Sequence, residues 1–164
     1  MTRAFVALGG NLGDTHAYLR QAFDALAALS QTRLLAHSRI YRTPPWGLQA
    51  QPPFLNAVAE LDTGLAPHEL LDALLDIERS AGRVRDGERW GPRTLDLDLL
   101  HMDGVVLHDE RLTLPHPRIA GRAFVLLPLA ELAADLELPG QGRVGALLAA
   151  ADAAGCIVEP AGGR

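Results

Sequence analysis

A chain of 164 residues with 48% hydrophobic and 21% charged residues has the composition of one globular domain and none of the bias of a disordered chain. Its formal net charge of −5 argues against a general affinity for nucleic acid or anionic membrane, and no apolar run approaches the length that spans a bilayer. All fifteen basic residues are Arg, so a P-loop, which needs a lysine, is excluded, and a single cysteine, Cys156, excludes an internal disulfide and a Cys-rich metal site.

The apolar run Arg3–Leu8 predicts a buried strand that enters a turn at Gly9-Gly10-Asn11-Leu12-Gly13. Asp14 or Thr15 can cap the helix that follows, with Leu19, Ala22, Phe23, Leu26 and Leu29 at helical spacing. A second strand is expected over 34–43, stopped by Pro44-Pro45-Trp46-Gly47. Residues 54–63 alternate, with Leu55, Ala57, Ala59 and Leu61 on one face and Phe54, Asn56, Val58, Glu60 and Asp62 on the other. Pro67 can open a second helix, whose apolar stripe Leu70, Leu71, Leu74, Ile77 and Ala81 runs to Gly82, with Glu78 beside it. A fourth strand is expected over 94–102, a small hairpin over 105–107 and 112–114, helices over 120–134 and 144–153, and an edge strand over 156–159. Pro128 limits the regularity of the first of these helices, and Cys156 is expected in the core. The order strand, helix, strand, strand, helix, strand predicts an α+β fold with a ferredoxin-like βαββαβ core and C-terminal helical additions, in one domain over 1–164.

The chemistry concentrates in residues 89–103 and the loop before them. Asp96 and Asp98 stand two apart in an apolar strand, so their carboxylates share a face; hard oxygen ligands there suit Mg²⁺ held jointly with phosphates. Arg83, Arg85, Arg89 and Arg93 alternate with Gly82, Gly87, Gly91 and Pro92 just upstream, a basic loop of the kind that orders over a polyphosphate. Asp103 falls at an odd offset from the pair and is assigned to a turn with Gly104; Arg89 is assigned to a structural ion pair. His116, between Pro115 and Pro117, is excluded from a helix interior and held in an extended turn, whereas His16, His37, His68, His101 and His108 read as surface or helix-end residues.

Four segments together carry a family resemblance: Leu8–Gly13; Tyr41–Pro45 through Phe54–Ala57; Trp90-Gly-Pro-Arg-Thr-Leu-Asp-Leu-Asp98; and Arg111–Pro117 through Phe124. Over about residues 1–135 the chain resembles the 6-hydroxymethyl-7,8-dihydropterin pyrophosphokinases of folate biosynthesis. The resemblance implies transfer of the β,γ-diphosphoryl unit of ATP to the pterin hydroxymethyl group, with release of AMP. It further implies two Mg²⁺ ions on Asp96 and Asp98, with Arg83, Arg85 and Arg93 completing the catalytic set. ATP contacts are implied at Glu78, Arg83, Arg85, Trp90, Arg93, Leu99, Arg111, Thr113, His116 and Arg122. Pterin contacts are implied at Thr43, Pro44, Trp46, Phe54, Asn56 and Phe124, where aromatic faces and an amide that both donates and accepts suit a flat ring with polar edges. Trp46, Pro117 and Leu75 depart from the family pattern, and the segment from Asp135 onward receives no chemistry.

A metal-dependent phosphohydrolase or nucleotidyltransferase would use the same Asp pair and Arg loop. An RNA-binding sheet would want more than 5% aromatics and a basic surface. The expected location is the cytoplasm, because the N-terminal apolar segment is shorter than a signal peptide requires, and a monomer with no nucleic-acid or membrane partner is the expected state.

Overall fold

The computed structural model describes residues 1–43, 52–81 and 94–160. A six-stranded antiparallel sheet is formed by β1 (Thr2–Gly10), β2 (Thr32–His37), β3 (Tyr41–Thr43), β4 (Phe54–Thr63), β5 (Asp96–Met102) and β10 (Ile157–Val158). The strands run in the order β10-β3-β4-β1-β5, with β2 also paired to β4. Helices α1 (Thr15–Ala27) and α2 (Pro67–Ser80) cover one face; α3 (Ala123–Ala133) and α4 (Val144–Ala150) cover the other. Short hairpins β6 (Leu107–His108) with β7 (Thr113–Leu114), and β8 (Glu137–Leu138) with β9 (Gly142–Arg143), lie outside the sheet. Among the described residues no helix is long and apolar enough to cross a membrane.

The alternation in β4 decides which residues enter which layer. Leu55, Ala57, Ala59 and Leu61 pack with Ala4, Val6 and Leu8 of β1 beneath α1 and α2, while Val58 joins Phe5 and Leu100 beneath α3. Each fully buried Leu or Phe contributes about 2 kcal/mol of transfer free energy, and a one-residue slip of β4 would move Asn56, Glu60 and Asp62 into the core beneath α1 and α2. Asp14 caps α1 by accepting from Ala17 N at 3.2 Å, and Glu69 Oε1 accepts from Ala66 N at 2.8 Å at the start of α2.

Several expectations need correction. The strand expected over 34–43 is broken into β2 and β3 at Ser38: its N–H donates to Val58 O at 2.8 Å, and Val58 N donates back to Ser38 Oγ at 2.9 Å. A side-chain acceptor has replaced a backbone one, and the register moves by one residue across the break. Gly9 and Gly10, expected in a turn, are the last residues of β1. His101 is not a surface residue; it is 3% exposed in β5, with Nε2 3.0 Å from Asp103 Oδ1. Cys156 is half-buried at the edge of the fold rather than in the core. The hairpin of β8 and β9 had no sequence counterpart, and the helix expected from 120 begins as a 3-10 turn over Ile119–Gly121.

Candidate active site

The register of the sheet sets one row of side chains on the face that α3 partly covers. Directly opposite residues in an antiparallel pair share a face, and Tyr41 pairs with Asn56, Asn56 with Gly9, and Gly9 with Asp96. The next row joins Val58, Ala7 and Asp98. Asp96 and Asp98 therefore stand on the same face as Asn56, with only Gly9 and Ala7 on the strand between. Asp98 is exposed and Asp96 half-buried.

The Asn56 amide has a defined orientation. It is 8% exposed, and its Nδ2 donates to Thr43 Oγ1 at 3.0 Å, so Oδ1 lies on the opposite side, over Gly9. A Cβ on Gly9 would stand 2.7 Å from Asn56 Oδ1, closer than packed side chains come. Phe54, two residues away on the same face, is half-buried. Asn11, expected only as part of a turn, donates from Nδ2 to Pro52 O at 2.9 Å and ties the end of β1 to the entry of β4.

Helix α3 crosses this face from β5 to β3. Arg122, at its start, senses the charge of Asp98, and its guanidinium lies 5.7 Å from the centroid of the half-buried Phe124 ring. Burial lowers the Arg122 pKa, the Arg118 charge lowers it further, and Asp98 opposes both. Near the other end, Glu131 accepts from Tyr41 OH at 2.8 Å and from Arg39 N at 3.0 Å.

Along the outer side of β5, the last strand of the sheet, a cavity of about 280 Å³ is lined by Leu97, Asp98, Leu99, Arg111, Thr113, His116 and Pro117, among others. Arg111 is exposed and paired with Asp72. His116 N donates to Leu100 O at 2.8 Å, and His116 Nδ1 accepts from Arg118 N at 3.1 Å. With Nδ1 an acceptor, the neutral imidazole carries its proton on Nε2, and Nε2–H is the donor left for a ligand. Burial, then the charges of Arg122 and Arg118, hold the His116 pKa below the ordinary histidine value against the pull of Asp98. Glu78, 4% exposed on α2, accepts from Leu97 N at 2.7 Å, so a buried carboxylate holds the backbone between the two aspartates. Arg79, the next residue on α2, pairs with Asp76.

A sequence profile of the 7,8-dihydro-6-hydroxymethylpterin-pyrophosphokinases matches residues 5–134. The chain belongs to this pyrophosphokinase family. Curated relatives named 2-amino-4-hydroxy-6-hydroxymethyldihydropteridine pyrophosphokinase include one from Methylorubrum extorquens, 52% identical over 86% of this chain and 89% of its own length. Others come from Pseudomonas aeruginosa, 52% identical over 90% of this chain and 91% of the relative, and Bacillus subtilis, 45% identical over 82% and 80%. Among solved structures, Plasmodium falciparum HPPK-DHPS (the S436F/A437G/A613T triple mutant with STZ-DHP) superposes with a TM-score of 0.72 at 13% identity, a likeness of fold. The match covers 91% of this chain but 43% of that longer one.

Of the residues that the sequence singled out toward this pyrophosphokinase family, Thr43, Phe54 and Asn56 gather at the end of β3 and β4, with Phe124 on the α3 that crosses the same face. Asp98, Leu99, Arg111, Thr113 and His116 gather around the cavity. Pro44, Trp46, Arg83, Arg85, Trp90 and Arg93 lie outside the described residues. Gly9 and Arg118, which bound the poses of the Asn56 amide and the His116 ring, were not singled out for those contacts. Only Gly9 left a sequence signal, a glycine in a strand otherwise rich in larger apolar side chains.

Proposed function

We infer that this chain transfers pyrophosphate from ATP to the hydroxymethyl group of 6-hydroxymethyl-7,8-dihydropterin, releasing AMP, in folate biosynthesis. The observation that carries this reading is the single row in which Asn56 and Asp96 share a sheet face across Gly9, next to the cavity that Asp98 and His116 line. In the reaction the hydroxymethyl oxygen bonds to the β-phosphorus, the bond from that phosphorus to the α,β-bridging oxygen breaks, and AMP leaves with the electron pair.

The residues divide into a pterin side and a nucleotide side. Asn56 Oδ1, turned away from Thr43, suits the N–H edge of a pterin, and Phe54 and Phe124 supply ring faces. Pro44 and Trp46 are assigned to pterin binding in the same reading. The cavity beside β5 takes the nucleotide, with Leu99, Arg111 and Thr113 around it and His116 Nε2–H donating to a phosphate oxygen. Glu78 acts by holding the β5 backbone at Leu97. Arg122 presents a partly desolvated cation beside Asp98, where a charge-assisted contact to phosphate is strong. Arg83, Arg85, Trp90 and Arg93 are assigned to ATP binding in the same reading.

Asp96 and Asp98 would hold Mg²⁺, with two ions expected. Their donor set fits: two hard carboxylates share one sheet face beside small Gly9 and Ala7, which suits a cation sharing its shell with phosphate and water. The metal would neutralise charge on both sides of the transferred group. Asp96 is the carboxylate assigned to accept the hydroxyl proton.

The sheet order, in which β1 sits between β4 and β5 and β4 between β1 and the β2/β3 edge, supports the ferredoxin-like reading of two interleaved βαβ units. One pyrophosphokinase domain over 1–164, monomeric and cytoplasmic, belongs to the same reading. The test is AMP formation from ATP and Mg²⁺ with and without the pterin, for the wild type and Asp98→Ala. Pterin-dependent AMP lost in the variant is expected. AMP formed equally without pterin would replace this reading with a phosphohydrolase.

A further inference from the structure

Residues beyond 134 lie outside the family match, yet one of them reaches the nucleotide side of the site. The hairpin of β8 and β9 turns through Gly140, whose φ of +77° is the left-handed conformation a tight turn demands, and places Gln141 against the loop that carries His116. Gln141 Nε2 donates to His116 O at 2.8 Å. Only the NH₂ end of an amide can face a carbonyl oxygen, so the orientation is unambiguous and Gln141 Oε1 is turned away. Oε1 is buried and has no hydrogen-bond partner among the described residues. Burying an acceptor without a donor is destabilising, so packing alone would favour an apolar side chain at 141.

His116 is thereby held at three points. Its N–H donates to Leu100 O of β5, its ring Nδ1 accepts from Arg118 N, and its carbonyl accepts from Gln141. The first and third hold the peptide units on either side of its Cα, and the second sets the ring and its tautomer. Removing Gln141 frees the peptide between His116 and Pro117, and with it the direction of Nε2–H in the cavity beside Asp98.

We propose that Gln141 is a positioning residue for nucleotide binding, acting through the His116 backbone from a hairpin outside the family-matched region. The proposal rests on the reading of His116 as a phosphate ligand. It gives the C-terminal segment a role in the ATP half of the site and none in the pterin half.

Gln141→Leu tests it, because it keeps the volume nearly constant while removing both the hydrogen bond and the orphan oxygen. With a wild type that makes pterin-dependent AMP, the expected result is a KM for ATP raised about tenfold, a KM for pterin within about twofold, and an equal or higher melting temperature. A residue that merely packed the hairpin would not give rising stability together with weaker ATP binding. Gln141→Ala serves as the second variant, with the same split between the two KM values expected. An unchanged KM for ATP, equal rises in both KM values, or loss of the fold in both variants would overturn the proposal. Absence of pterin-dependent AMP in the wild type would instead overturn the underlying function.

Discussion

Gly9 and Asn56 face each other on β1 and β4 with no room for a side chain between them, since a Cβ on Gly9 would stand 2.7 Å from Asn56 Oδ1. The end of the flexible amide would have to give way, and its other end is held by Thr43 Oγ1 at 3.0 Å. Gly9→Ala is therefore expected to turn Asn56 out of its pose and raise the KM for pterin about tenfold or more, with the KM for ATP little changed. Steady-state kinetics with each substrate varied in turn would check this. Wild-type KM values for pterin would show that the Asn56 amide adapts without loss.

Glu78 holds Leu97 N at 2.7 Å from inside the core, where it is 4% exposed. Glu78→Ala leaves that buried N–H without its acceptor, a loss of about 2 kcal/mol, which corresponds to roughly 4–8 °C in melting temperature for a chain of this size. Glu78→Gln retains an acceptor oxygen and should lose less stability. Both variants should show reduced kcat, because the Leu97 peptide separates Asp96 from Asp98. Calorimetry and single-turnover rates would decide. Full activity in a destabilised Glu78→Ala variant would confine the residue to a structural role.

The charges around His116 make a signed prediction for its titration. Burial, Arg122 and Arg118 lower its pKa and Asp98 raises it, the net result lying below the ordinary value of 6.5. Asp98→Asn should move the pKa further down, and Arg122→Gln should move it up. Carbon-13 or proton NMR of the imidazole across pH 4–8 would follow both shifts. Movement in the same direction in the two variants would contradict this account of the site electrostatics.

Glu131 joins α3 to β3 through Tyr41 OH and Arg39. Burial alone would raise its pKa, but the hydrogen bonds from Tyr41 and Arg39 and the Arg39 charge outweigh burial and hold it below its ordinary 4.5. A carboxyl whose pKa is depressed on folding contributes stability that is full above its unfolded value and is lost as pH falls through the folded one. The contribution should fade below about pH 4.5, and Glu131→Gln should flatten that part of the stability curve. Urea melts between pH 3 and 7 on both proteins would test it, and an unchanged acid limb in the variant would remove Glu131 as its source.

The strand that carries Asp96 and Asp98, and the packing faces of its neighbours, were legible without coordinates, because they follow from local periodicity. The alternation over 54–63 placed Leu55, Ala57, Ala59 and Leu61 in one core and Phe54 and Asn56 on the other face, and β4 has those bounds and that burial. The spacing of Asp96 and Asp98 likewise set their common face, and Glu78 was read beside the buried stripe of its helix. The breaks were less visible. Ser38 interrupts a strand by a side-chain hydrogen bond to Val58, a partner twenty residues away, and His101 is buried opposite Phe5 of β1, nearly a hundred residues earlier in the chain.

Residue type and spacing thus determined, by themselves, the core faces and the paired carboxylates, since each depends on neighbours within a turn or a strand, and the order of four motif segments marked the family. Tertiary structure decided the register that sets Asn56, Gly9 and Asp96 in one row and the contact that brings Gln141 to His116. Those relations join residues far apart in sequence. They are selected by the simultaneous packing of two cores and by the pairing of buried polar groups, and no local pattern records either.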